Sequence, residues 1–342
     1  MFVETSRSHA AASDSTLSAP GVKGILFDAT GNDRSIEQED IAGLAPTEEH
    51  QLLWIDITHP DGDTLLRIAA PLGVPQEAID VVLAQKTDPM LINGGDFFWL
   101  RVVGVEQTQG LSYSGGVLNV IASANLVLTC HSGPISFLDG IRAREAGETD
   151  LGRLSAASFT ASILDWHLAT YFDAAAKFEI AVERLEVQLL SEVHRDCLVE
   201  LRALRKAASR LRRMLAPHRV VFAGLSRPDF RPQEDGAANR HFLAIDDRFE
   251  RAMDIVENAR ELVIGSFELF SSRNTLATND QMRALTFVTV VIGGLAVLAG
   301  VLGMNFDAPF FNSAATGFWI AVSAMGGLVA LSIWMAKSRH WI

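Results

Sequence analysis

Mixed polar and apolar positions fill most of this chain. The pattern breaks near its end, where two runs without a charged side chain cover residues 284–304 and 317–336. Each is about 20 residues long, enough for a helix rising about 1.5 Å per residue to cross a hydrocarbon core of about 30 Å. Lipid offers backbone N–H and C=O groups no partner, so such a run folds as a helix, which satisfies them internally. Two transmembrane helices joined by a short loop, residues 305–316, are expected, with the bulk of the chain in water.

Ahead of these runs the periodicity changes twice. Residues 24–27 and 52–57 read as short strands, bounded by turn formers such as Gly31-Asn32 and Pro60-Asp61-Gly62. Segments 63–70 and 76–85 carry apolar residues at helical spacing, with Pro75 placed where a helix begins. Strand character returns at 96–105, 117–121 and 126–130, and 135–146 is helical again. This predicts a cytoplasmic α/β domain over residues 21–150, preceded by a disordered, Ser-bearing leader at 1–20.

From about residue 154 strand-like alternation ceases, and residues 151–283 read as a long α-helical stalk. Its segments are 156–190, 192–223 and 239 to the first span, with Pro228, Pro232 and Gly236 supplying the turn between the second and third. Phe242, Ile245, Phe249, Met253, Val256, Arg260, Val263, Phe267 and Phe270 recur at steps of three or four, as one stripe of a helix demands. No proline lies between residues 237 and 305. The third segment is therefore expected to run unbroken into the first span, as a helix on the order of 100 Å long. A helix of that length is not stable alone in water and needs other helices, its own chain's or those of further copies.

Charge narrows the function classes. A net charge of -12 argues against nucleic acid as partner, because phosphate binding needs clustered Lys and Arg. The leader lacks the apolar core of a secretory signal, so the body is expected to stay in the cytoplasm. Residues 306–316 hold no Lys or Arg, whereas Arg283 precedes the first span and Lys337, Arg339 and His340 follow the second. By the positive-inside rule both termini, including the tail at 337–342, face the cytoplasm of a multi-pass inner-membrane protein.

The remaining chemistry is sparse. Cys130 and Cys197 read as reduced buried thiols. His50, His59, His131, His167, His194, His218 and His241 lack the spacing of a structural zinc site, and the neighbours Cys130 and His131 on a strand point to opposite faces. Arg202, Arg205, Lys206, Arg210, Arg212 and Arg213 read as a solvated or salt-bridged helix face, with Glu192 and Glu200 on the same element. No Gly-rich phosphate loop, nucleophile triad or paired-carboxylate motif stands out, so neither an enzyme nor a covalent cofactor is expected.

Asn279, Met282, Leu285 and Thr286, then Gly300, then Gly303-Met304-Asn305-Phe306 at the end of the first span resemble the signature of the CorA family of divalent-cation channels and transporters. Trp54-Ile55-Asp56, Leu128-Thr129-Cys130-His131 and the stretch from Leu211 through Pro217-His218-Arg219 resemble it too, so the likeness spans nearly the whole chain. It implies a funnel-shaped homopentamer in which five first spans line an axial pore. It further implies that Gly303, Met304 and Asn305 form the selectivity filter, with five Asn305 amide oxygens at the outer mouth. Such a ring suits a hydrated divalent cation that gives up its waters reluctantly. Met282 and Leu285 fall where that family has an apolar gate, Gly293, Ala296 and Gly300 along the same pore helix, and Glu268 where an acidic ring binds regulatory cations. Asp307 would add an outer ring that concentrates cations.

Bland readings stand beside these. Gly303 and Asn305 also suit a helix end, Gly293, Gly294 and Gly300 a close helix contact, Met282 and Leu285 stalk packing, and Glu268 a solvated surface. The chain also departs from relatives that carry Mg2+: the first span has no proline, Ala296 stands at the position of a polar Thr, and the loop reads Asp307-Ala308-Pro309-Phe310-Phe311. The zinc-transporting ZntB branch competes on these grounds. The expected cargo is Mg2+, Zn2+, Co2+ or Ni2+ moving into the cytoplasm, with a membrane-anchored scaffold or sensor and an exporter of the same fold as rivals.

Overall fold

Alternating and fully apolar strands assemble into one sheet in the computed structural model, which describes residues 21–41, 50–144, 150–190, 197–230, 236–304 and 314–338. The strands are β1 (Gly21–Asp28), β2 (Arg34–Ile36), β3 (Gln51–Thr58), β4 (Met90–Asn93), β5 (Phe97–Gln109), β6 (Ser112–Ser123) and β7 (Leu126–His131), in the order β2-β1-β3-β7-β6-β5-β4. Every pairing is antiparallel except β3 with β7. That parallel pair sits at the centre, and β7 is buried along its whole length, as a strand covered on both faces requires.

Helices α1 (Gln38–Ile41), α2 (Gly62–Ala69), α3 (Gln76–Leu83) and α4 (Ser136–Arg144) connect the strands or follow them. The Asp61 carboxylate caps α2 by accepting the Thr64 N–H at 2.6 Å. Leu65, Ile68, Ile79 and Val82 from α2 and α3 close one core with Leu53, Ile55, Ile57, Leu128 and Cys130 of the sheet. On the opposite face, Phe159 of α5 (Ala156–Leu190) packs against Phe27 and Trp54, with ring centroids 5.9 Å and 5.4 Å away. Gly152 sits so close to the end of β1 that a Cβ there would overlap the backbone of Asp28 and Ala29.

The expected strands at 24–27, 52–57, 96–105, 117–121 and 126–130 are all present, and the structure adds β2 and β4, short edge strands of 3 and 4 residues. The segment expected as one helix over 192–223 is instead α6 (Cys197–Leu215), a 3-10 turn (Ala216–His218) and α7 (Arg219–Leu225). Pro217 has no N–H for the helical ladder and forces the break. Glu192 lies outside the described residues. Arg212 pairs with Glu257 at 2.7 Å, not with a carboxylate of its own helix. Cys130 and Cys197 are buried, as expected.

Two long helices complete the chain: α8 (Gly236–Leu302), 67 residues without interruption, and α9 (Ala314–Ser338). The buried stripe of α8 differs from the expected one. It runs Ala238, Phe242, Ile245, Phe249, Ala252, Val256, Ala259, Val263 and Ser266, whereas Arg260 and Phe267 are exposed. The observed steps alternate strictly between four and three, the 3.5-residue repeat of coiled-coil packing. Small Ala252 and Ala259 occupy the positions that larger Met253 and Arg260 were expected to fill, which lets the helix lie closer to its neighbours. By their contacts, the described residues through Ile264, apart from 189 and 190, form one compact unit, and those from Gly265 onward form a second.

Candidate ion pathway

The second unit contains the helical turns that the sequence analysis singled out. Met282, Leu285, Gly293, Ala296 and Gly300 all lie on α8 and are exposed. Their steps of 3, 8, 3 and 4 residues keep them on one face of a helix with 3.6 residues per turn. Toward the C-terminal end this face is made of small side chains, and at its start Met282 and Leu285 are 58% and 62% exposed. Glu268, fourteen residues before Met282, is exposed on the same helix. Among the described residues no group of three or more His, Cys, Asp and Glu side chains is placed to hold a metal ion.

Thr289 shares this face, at four residues from both Leu285 and Gly293, and was missed in the sequence reading although that spacing marks it. Thr286 and Thr289 donate their hydroxyls to the carbonyls of Met282 and Leu285, each at 2.8 Å. Such bonds to the preceding turn give partners to the only two hydroxyl donors of the 284–304 run. At the end of α8 the Gly303 N–H donates to the Ala299 carbonyl at 2.9 Å and the Met304 N–H to the Val301 carbonyl at 3.3 Å. Gly303 does not adopt the left-handed conformation of a glycine C-cap, so ending a helix in that way does not account for it. A Cβ on Gly293, Gly294 or Gly300 would meet open space, so within one chain no backbone crowds these glycines. Asn305 and Asp307 lie outside the described residues.

Both α8 and α9 contain stretches long and apolar enough to cross a membrane, and neither stretch is buried. Val288, Val290, Ile292, Val297, Leu298 and Val301 on α8 and Phe318, Trp319, Ile320, Leu331, Ile333 and Trp334 on α9 are exposed. An apolar surface of this extent is stable only against lipid or further protein.

The first unit holds the other stretches of the resemblance and brings two of them together. Asp56 at the end of β3 meets His131 and Thr129 at the end of β7: the Thr129 hydroxyl donates to Asp56 Oδ1 at 2.5 Å and His131 Nε2 lies 3.3 Å from Asp56 Oδ2. Arg142 of α4 also bonds Asp56, and its guanidinium covers the Trp54 ring at 5.3 Å. Burial pushes the Asp56 carboxyl up, but His131 and Arg142 outweigh it and hold the group below the usual carboxylate range. The same pairing lifts the His131 imidazole against its burial. The cluster is a buried, compensated clasp between the central strands and α4.

The third stretch places His218 against the free edge of β5, beyond the reach of β4. There the Val103 N–H donates to His218 Nε2 at 2.8 Å, while the Val103 carbonyl accepts from His167 Nε2 at 3.0 Å and from the Tyr171 hydroxyl at 2.7 Å. Thr170 Oγ1 takes the next outward donor, the Val105 N–H, at 3.2 Å. Side chains of α5 and of the 3-10 turn thus do the work of a missing strand. Burial drives both imidazoles toward the neutral form, His218 down to about 4 and His167 well below its ordinary value, with the neighbouring His218 adding to the effect on His167.

The family model described as "CorA-like Mg2+ transporter protein" matches residues 49–337. The chain is 26% identical over 329 residues to the divalent cation transporter CmaX of Pseudomonas aeruginosa, covering 94% of this chain and 96% of that one. It is 22% identical over 303 residues to the cobalt/magnesium transport protein CorA of Methanocaldococcus jannaschii, covering 86% and 93%. Among solved structures, the complete CorA magnesium transporter of M. jannaschii superposes with a TM-score of 0.73 at 20% identity over 93% of this chain and 98% of that one. The cytoplasmic domain of ZntB from Vibrio parahaemolyticus gives 0.58 at 15% identity over 75% and 99%. A family match over most of the chain, together with the two apolar helices and the Gly-Met-Asn triplet at the end of the first, places this protein in the family of CorA-like Mg2+ transporter proteins.

Proposed function

We propose that this protein carries divalent metal cations across the inner membrane into the cytoplasm, through an axial pore lined by α8 of five identical copies. The observation that supports it is the exposed face of α8 running from Met282 to Gly300, which the rest of its own chain does not cover. Two helices cannot enclose a water path, but cyclic copies of one helix can, and symmetry then turns each residue of the face into a ring.

In this reading Met282 and Leu285 form the apolar constriction, Thr289, Gly293, Ala296 and Gly300 the wall, and Gly303-Met304-Asn305 the filter, with Asp307 outside it. A divalent ion gains about 4.6 kcal/mol on moving inward through a potential of about 100 mV, so no ATP is required. The small wall fits passage of an ion that keeps part of its hydration shell, which suits Mg2+. A zinc-carrying variant of the same function is favoured by Ala296, where a polar Thr would otherwise face the ion. Both termini lie in the cytoplasm, and cytoplasmic cation bound at a Glu268 ring regulates opening.

Uptake of Mg2+, Zn2+, Co2+ and Ni2+ into liposomes holding the purified protein, with and without a proton gradient, tests this. Flux that disappears in Asn305→Ala supports the pore, and the order of ions separates the magnesium and zinc readings. Absence of flux under every gradient would leave an anchored scaffold, and flux only outward an exporter. Unchanged cation sensitivity in Glu268→Ala would remove the regulatory ring.

A further inference from the structure

A cavity of about 160 Å3 opens beside the C-terminal end of α3, where Gln85, Lys86, Asn119, His131 and Ser132 supply its polar lining and, among the described residues, no carboxylate lines it; both His131 ring nitrogens are already engaged, by the Gly133 carbonyl and by Asp56. Asn119 is only 9% exposed. Its Oδ1 accepts from Arg101 Nε at 2.8 Å, so what Asn119 offers a guest is its amide N–H2. Arg101 stands opposite Asn119 across the β5–β6 pair and is 1% exposed. Its second bond, from Nη2, goes to the Val81 carbonyl in the last turn of α3 at 2.7 Å.

This guanidinium differs from the cations gathered around Asp56. His131 and Arg142 share the Asp56 carboxylate, whereas among the described residues no carboxylate bonds Arg101, and Asp88 acts on it only through space. The negative end of a helix carries about half a charge, too little to neutralise a guanidinium. Lys86 adds a second cation at the rim, so Arg101 and Lys86 together exceed Asp88 and the helix end. A buried cation without a bonded counter-ion is costly unless a ligand supplies one.

We propose that this cavity binds a small oxyanion, a phosphate group either free or carried by a small metabolite, with the Lys86 amine as its charge contact and the Asn119 amide and Ser132 hydroxyl as donors. Arg101 acts from behind, fixing Asn119 and supplying positive field.

The test is the thermal midpoint of the full-length protein in detergent, titrated with inorganic phosphate or glycerol 3-phosphate against chloride at matched ionic strength. Phosphate strengthens many folds by exclusion from their surfaces, so the diagnostic is saturation and its dependence on the cavity. The midpoint is expected to rise saturably. Lys86→Ala, an exposed position, is expected to raise the half-saturating concentration roughly tenfold, the weight of a charge-assisted hydrogen bond, while leaving the midpoint in chloride unchanged. Ser132→Ala is expected to raise it a few-fold. Saturation by inorganic phosphate alone identifies free phosphate, and saturation by glycerol 3-phosphate with higher affinity identifies a phosphorylated metabolite. No saturable rise with either, or a rise that both substitutions leave untouched, overturns the proposal.

Discussion

Over roughly its first thirty residues α8 buries a side chain at every third or fourth position, and from Phe267 to Leu302 it buries none. Backbone and helical form are the same in both stretches, so helix propensity does not separate them. What separates them is the source of the partner. Phe249 stacks on Phe222 of α7 at 4.7 Å, and Glu257 and Glu250 meet Arg212 and Arg219, so the first stretch is held by its own chain. The second presents Val290, Ile292 and Val297 to whatever surrounds it. One helix therefore carries two kinds of stability, one encoded within the chain and one that its surroundings must supply.

The packing of the first stretch is most exposed to disruption at Phe249. Its fully buried ring makes Phe249→Ala a cavity-forming change, with an expected loss of about 3–5 kcal/mol in denaturant unfolding of the full chain. A loss below about 1 kcal/mol would mean that the first stretch is no better packed than the second.

Acid should separate the two stretches next. Residues 284–304 hold no titratable side chain, whereas the sheet edge packed by α5 and the Pro217 turn depends on two neutral imidazoles. His218 falls from its ordinary 6.5 to about 4 in the folded protein. The unfolded chain therefore takes up a proton below about pH 6.5 that the folded one refuses. Stability is full above that pH, declines as pH falls toward about 4, and levels off below it, a loss of roughly 3 kcal/mol at about 1.4 kcal/mol per pH unit. His167 shifts in the same direction and adds to the decline. His131 works the other way: its raised value contributes stability at low pH that is lost as pH rises through it. Tryptophan fluorescence during denaturation at successive pH values checks the balance, and a flat profile between pH 6.5 and 4 would remove the imidazole argument.

A matched pair of valines sharpens the contrast further. Val256→Ala, at a 1% exposed position, is expected to cost about 2 kcal/mol for the lost methyl groups and the void. Val290→Ala, at 67% exposure, is expected to cost less than about 0.5 kcal/mol, since lipid tails are as apolar as the side chain. A larger loss at Val290 would reveal a packed protein partner there. Smallest of all is the Arg212–Glu257 pair, whose side chains are 51% and 36% exposed. A double-mutant cycle should give about 0.2–1 kcal/mol at low salt, declining as salt is added.

The same contrast explains what the sequence made legible. The length of α8 could be read because no proline interrupts it, and the spans because composition alone marks a run that faces lipid. The stripe was misread by one position at Met253, Arg260 and Phe267 because size invited them in. Which of two adjacent positions is buried depends on how closely neighbouring helices approach, and that is a property of the assembled unit. Strands β2 and β4 were invisible because 3 or 4 residues cannot establish a period. Pro217 was in plain view, yet its break was overlooked within an otherwise helical pattern. The clusters around Asp56 and Val103 join positions 75 and 115 residues apart, a separation that local periodicity does not register. That Met282, Leu285, Gly293, Ala296 and Gly300 share one face of α8 was readable as spacing, while the roles given to Asn305 and Asp307 rest on resemblance.

The hold on Val103 has a further consequence during synthesis. Its amide finds its acceptor in His218, 115 residues later, so at a translation rate of about 5–20 residues per second the outer edge of β5 waits roughly 6–23 s for that acceptor to be made. In that interval a strand edge with unmet donors and acceptors is exposed to the nascent chains of neighbouring ribosomes. Ribosome spacing on the message, and chaperones that shield the edge until the Pro217 turn emerges, should therefore govern yield more than the stability of the finished protein does.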